Sequence, residues 1–424
     1  MTELLHIQEP APPRQAAPQW QAFWSMGFRP LYLLACLWSM GSVLAWVFVP
    51  ELLVGWMPGV VWHAHEMIWG FVGSIAVGFL LTAAANWTGI NPAQGRWLIC
   101  LTGLWCIARV GFVLPGAFAF VFAALSECLF FCSAAWAIGS TIVKTRSQRN
   151  YAVIGLMLVL AATDAAYLLA VWQLDYEVWS RNIHAGMWCM ALIAVLIGRR
   201  VIPFFASRAV ANLQLPVLEL SGHFQIAAGA IAIVATWLGQ HMVSAAALAI
   251  VGGLACWQTC CWQPWRVWHI PLLWVLYVGY AALGLGLLVS AAHAIDWVPT
   301  AAWPLHVIGV LGFSVMIIGM VTRTALGHLG RPLRTDRSMV LTYSLVIAAG
   351  GLRLWALTGW PLSEWALQAA AIAWALAFGT YLWRFAPWLI RPRADAPGGT
   401  PVALNVRLER VSHKPATPPQ KGAS

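Results

Sequence analysis

Charge is what this chain has least of. Asp, Glu, Lys and Arg together make 9% of its 424 residues, roughly a third of the share in soluble globular domains. A soluble globular domain is excluded by that shortage. Short segments of alternating polarity are missing too, and with them the pattern of a transmembrane β-barrel. No GxxxxGK[ST], GxGxxG or HExxH occurs, so neither nucleotide use nor zincin chemistry is indicated. Nine cysteines are an odd number and form no CxxC, which leaves no disulfide framework. Residues 1–28 contain no apolar core of a secretory leader, so no cleaved signal peptide is expected.

What is present is long hydrophobic runs. Hydrophobic residues make up 61% of the chain, and mean hydropathy is +0.74. Twelve runs are each about 20 residues long, enough to cross about 30 Å of hydrocarbon. They cover 31–49, 62–85, 97–114, 117–142, 151–171, 180–201, 219–238, 242–258, 271–292, 301–322, 339–359 and 365–390. Many of the 28 tryptophans bracket them, among them Trp62, Trp97, Trp172, Trp179, Trp268, Trp303, Trp360 and Trp388, as an aromatic belt at headgroup level requires. The expected fold is all-α: a polytopic membrane domain over 29–391, between disordered tails at 1–28 and 392–424.

Charge placement tests that count. With both termini inside, the inner loops and tails hold every Lys and Arg except Arg181 at the outer face and Arg109 and Arg353 within spans. So steep a bias predicts a multi-pass inner-membrane protein with both ends cytoplasmic. The outer loops carry acids instead: Glu51, Asp175, Glu177, Asp296 and Glu364. The net charge of +10 is thereby explained by topology, and no nucleic-acid-binding motif accompanies it.

Histidine recurs at matching points of three spans. His63 and His65 open the second, His184 the sixth and His306 the tenth, and all three enter from the cation-poor side. The spacing of four suggests three arcs of four helices. Neutral imidazole is the commonest protein ligand for a metal or haem iron, and polar groups at membrane depth are costly. Convergence of His65, His184 and His306 on a buried metal or haem centre follows, with packing histidines as the plain alternative. On a regular helix His63 and His65 diverge by about 200° and cannot chelate one ion from one face. Glu66 lies three residues after His63. This suggests that His65 faces a cofactor while His63 and Glu66 form a supporting pair or a second metal site. An interfacial polar cap is the other reading. His293 is a weaker candidate.

Arg109, Arg353 and Asp164 lie in the outer halves of their spans, where each needs a partner. Arg109 or Arg353 could meet Asp164, or bind haem propionates as cofactor-binding residues; an internal salt bridge would satisfy them equally. Glu127, midway along the fourth span, fits a proton path or a hydrogen-bonding role. The cysteines lie mostly in apolar runs and read as packing residues, with copper(I) ligation as the alternative.

Several short motifs appear in order: Phe28-Arg29-Pro30, His63-Ala64-His65-Glu66-Met67, Asn86-Trp87-Thr88-Gly89 and Gly198-Arg199-Arg200-Val201-Ile202-Pro203-Phe204-Phe205. Thr322-Arg323 and Gly327-His328-Leu329-Gly330-Arg331-Pro332-Leu333 complete the series. The string resembles the NnrS family of bacterial inner-membrane proteins over about residues 28–390, with a departure at Leu329, where the family usually has a small polar residue. The resemblance implies twelve helices, bound haem and copper, and a part in resistance to nitric oxide and nitrosative stress. It assigns no reaction and no ligand set. Ligands on spans two, six and ten are also a feature of haem–copper oxidases, but their paired histidines on a seventh span are missing; His223 stands alone. A transporter or metal-handling permease and a haem–copper-type oxidoreductase are the rival expectations.

Overall fold

The computed structural model describes residues 17–395. Most of both expected tails, 1–16 and 396–424, lies outside the described residues. Among the described residues, twelve helices are long and apolar enough to span a bilayer. They are α1 Phe28–Phe48, α2 Gly59–Thr88, α3 Gly95–Val113, α4 Ala117–Lys144, α5 Gln148–Gln173 and α6 Tyr176–Ala209. The second half comprises α7 Glu219–Trp237, α8 His241–Cys261, α9 Pro271–Ala294, α10 Ala302–His328, α11 Arg337–Ala356 and α12 Ser363–Leu389. No strand occurs among the described residues. Each expected run falls on one of these helices.

Several helices outrun their apolar stretch, because hydropathy marks the hydrocarbon layer and not the helix end. The longest, α6, has 34 residues. The Asp175 carboxylate caps its start by accepting the Val178 N–H at 3.0 Å, and the helix continues past Pro203 at its other end. Gly89 ends α2 with φ +72°, a left-handed turn that glycine adopts without strain.

Helices α2, α6 and α10 meet in the middle of the bundle. The other nine surround them, and α12 packs on α1 to close the ring. Each successive group of four thus contributes one central helix. Of the twelve, α2 is the most deeply buried. Large apolar side chains on the outer helices, such as Phe118, Leu125, Trp136 and Trp383, are exposed, as lipid contact requires.

Two of the central helices carry the same irregularity. In α2 the stretch Glu66–Gly73 is π-helical, and in α10 so is Val307–Ser314. Each begins on the residue after a histidine, His65 or His306. A wider turn of this kind re-aims the side chains on either side of it and is frequent at functional sites. In α10 the Ser314 hydroxyl satisfies part of the disturbed ladder by donating to the Gly309 carbonyl at 2.8 Å.

Candidate metal and cofactor centre

The buried polar groups at the cation-poor end form two sites, one on each side of α2. On one side is a closed charged cluster. His65, Glu66, Arg109, Glu127 and Asp164, from α2, α3, α4 and α5, are each no more than 2% exposed. The Arg109 guanidinium donates from Nη1 to Glu66 Oε2 at 2.6 Å and from Nη2 to Glu127 Oε2. His65 lies between the acids, with Nδ1 3.0 Å from Glu66 Oε1 and Nε2 3.1 Å from Asp164 Oδ1. Trp38 Nε1–H donates to Glu66 Oε2 at 2.5 Å. Trp69, Phe112 and Tyr167 ring the imidazole at 4.9–5.6 Å between centroids. Gly70 makes room for the guanidinium: a Cβ there would overlap Arg109 Nη1 and lie 2.7 Å from Glu66 Oε2.

Three carboxylates thus face one permanent cation in a buried interior. Neutrality requires two further positive charges, whether as protons or as a bound cation. Glu127 Oε1 and Asp164 Oδ2 are buried without a hydrogen-bond partner, so ligand positions remain open. One ligand atom each from His65, Glu127 and Asp164 lie within 4.8 Å of one another. The cluster can therefore hold a metal ion. Its imidazole and carboxylate donors suit zinc, copper(II) or iron better than copper(I), which favours thiolate and thioether.

On the other side of α2 lies a cavity of about 440 Å³, within the range of cofactor pockets. Apolar side chains make most of its wall; His63, His184 and His306 bring imidazole nitrogens to it and Arg353 a positive charge. His184 Nδ1 lies 2.7 Å from the Ser180 carbonyl, and His306 Nδ1 lies 2.7 Å from the Ala302 carbonyl. A carbonyl only accepts, so each Nδ1 carries the proton and each Nε2 keeps a free lone pair. Metal-ligating histidines use the same device to fix tautomer and ring orientation. His184 Nε2 is buried without a partner. His63 stacks on Trp46 at 4.1 Å and 13° between planes, and its buried Nδ1 also has none. Arg353 has no carboxylate within 4.0 Å among the described residues.

The sequence expectation is thus split and partly reversed. His65 was expected to share a site with His184 and His306, yet it faces the charged cluster, and His63 takes its place. Glu66 pairs with His65 and Arg109, not with His63, because the Arg109 guanidinium and the His65 ring engage its two carboxylate oxygens while His63 stacks on Trp46. Arg109 is occupied by Glu66 and Glu127, which leaves Arg353 as the cavity's cation. Asp164 meets His65 instead of either arginine. His293 stands beside His184, with 6.5 Å between ring centroids, and its Nδ1 is 2.6 Å from the Val298 carbonyl. His328 packs near Phe28 at 5.6 Å between centroids, away from both sites. All nine cysteines are free, and none belongs to a group of three potential metal ligands among the described residues.

A family model for the NnrS protein matches residues 22–393, nearly the whole chain. The chain belongs to the NnrS family. No curated protein sequence matches it. In this NnrS-family protein the histidine-bearing motif of α2 thus serves two sites at once, through residues of alternate position. The motifs at Asn86–Gly89, Gly198–Phe205 and Gly327–Leu333 lie at or near the opposite, cation-rich ends of the three central helices. Arg323 packs there on Phe205, with its guanidinium carbon 3.7 Å from the ring centroid, and Arg331 packs on Trp388 at 3.6 Å.

Proposed function

We propose that this protein is a haem- and copper-binding membrane protein of the bacterial inner membrane that confers resistance to nitric oxide and nitrosative stress. The observation that carries the proposal is the pair of cavity histidines, His184 and His306, each with Nδ1 engaged and Nε2 free. Family membership supports it. The cavity residues fit haem: Nε2 of His184, His306 or His63 would take the iron, and Arg353 a propionate. Apolar walls from α1, α2, α6, α10, α11 and α12 would enclose the macrocycle. The His65, Glu127 and Asp164 cluster is assigned to copper in its divalent form. Haem iron, when bound, supplies a coordination position for a neutral diatomic gas.

In this reading the cation-rich face is cytoplasmic and the centre lies in the outer half of the bilayer. Nitric oxide is uncharged and reaches that depth through lipid. The test is complementation of a deletion strain challenged with a nitric oxide donor. The wild-type gene should restore growth, whereas His184→Ala and His306→Ala at equal expression should not. Full rescue by both variants would remove the cavity from the protective function.

The charged cluster favours a second reading, in which its open carboxylate oxygens are a transit point for a transported cation. Uptake measured in sealed vesicles separates the two, since only a permease moves metal across the bilayer.

A further inference from the structure

A second, smaller void lies on the bundle axis and is built differently. It measures about 90 Å³ and lies among α2, α6 and α10, with single contributions from Tyr32 of α1 and Leu276 of α9. Its wall is carbon and methionine sulfur; Tyr32 is the one lining residue with a polar side-chain group. The small side chains Ala76 and Ala194 leave the space open. A cavity needs about 10–15 Å³ of this kind of volume per water, but also two or more polar partners for that water. Room is present, but the only polar side-chain group on the wall is the Tyr32 hydroxyl, buried without a hydrogen-bond partner. That is short of the two or more partners a water needs, so the void is dry.

Val72 and Phe313 line both this void and the histidine cavity. They therefore form the partition between the two. Met190 follows His184 by six residues and Phe313 follows His306 by seven. At 1.5 Å per residue the void begins about 10 Å further along the helices than the histidines. Both partition residues belong to or adjoin the two π-helical stretches.

We propose that this axial void is a docking site for a neutral diatomic gas, which passes between it and the histidine cavity through the Val72 and Phe313 partition. Size and dryness select the ligand class. Ions and water find only the single Tyr32 hydroxyl there, and lipid chains or cofactors are too large. A small apolar molecule loses nothing by leaving lipid and gains dispersion contacts with the wall. The gas being nitric oxide rests on the function proposed above; the existence of the docking site does not.

Xenon is the probe, because it fills dry apolar cavities and needs no metal. Crystals of the full-length protein pressurised with xenon should show a bound atom between α2, α6 and α10. Ala194→Leu and, separately, Ala76→Leu should abolish that peak while the protein remains folded by thermal unfolding. Absence of xenon from the wild-type void would overturn the proposal, as would a peak that persists in both filled variants. Xenon bound at the void in a protein whose purified form carries no haem would uphold the docking site and refute the haem reading. The two thus fail separately.

Discussion

His63 and His65 are two residues apart on one helix and belong to opposite kinds of site. His65 is held by Glu66 and Asp164 in a buried cluster, with charged and aromatic side chains packed around it. His63 faces a cavity of about 440 Å³ shared with two other histidines and a lone arginine. The first region is a lattice of mutually dependent charges and the second a set of independent side chains around a space. Burial alone does not distinguish them. What differs is how much each group relies on its neighbours, and mutation should expose that difference.

The largest effect should come from Arg109. Arg109→Ala would strand Glu66 and Glu127 without their cation, and breaking a buried pair costs about 3–5 kcal/mol. Thermal unfolding in detergent should show a sharp loss of folded protein. His184→Ala, by contrast, removes one partnered nitrogen and should leave the melting curve of cofactor-free protein nearly unchanged. Equal destabilisation by the two would end the distinction between lattice and cavity.

Gly70→Ala should act on the lattice by steric means. Its new Cβ would overlap the Arg109 guanidinium, and overpacking of this kind costs about 1–3 kcal/mol. Gly309→Ala, on the cavity wall with nothing within 4 Å of its Cβ, should cost less. A comparison of unfolding midpoints checks the order.

The smallest effect concerns the cation-rich end, outside both regions. Asp336 caps α11 by accepting the Met339 N–H at 3.1 Å and also accepts from Ser338 and Arg384. Partial burial works to raise its carboxyl pKa, but these hydrogen bonds outweigh it and hold it below the usual range. A depressed carboxyl stabilises the fold fully above its unfolded pKa and loses that contribution as pH falls through the folded value. Asp336→Ala should cost about 1 kcal/mol at neutral pH and less in acid. A pH series of unfolding midpoints, wild type against variant, reads the convergence.

Much of this was legible in the sequence, for identifiable reasons. The twelve spans follow from hydropathy, since lipid demands continuous apolar surface. The divergence of His63 and His65 follows from helix geometry, but the side each faces does not, because that depends on how α2 is rotated against its neighbours in the bundle. Glu127 and Asp164 stood out as costly intramembrane acids. Their meeting at His65 joins residues 62 and 99 positions away and depends on how α2, α4 and α5 pack, which periodicity does not encode. Arg353 and Arg109 looked equivalent in sequence. Only the positions of the carboxylates separate them, one arginine bound to two acids and the other with no carboxylate within 4.0 Å among the described residues.

The claim that α2 divides a cofactor cavity from a charged lattice is tested most directly by the visible spectrum of purified protein. Wild type should show a Soret band. The combined variant His63→Ala, His184→Ala, His306→Ala should fold, by its unfolding midpoint, and show none. A full Soret band in that triple variant would place the haem elsewhere and contradict the account.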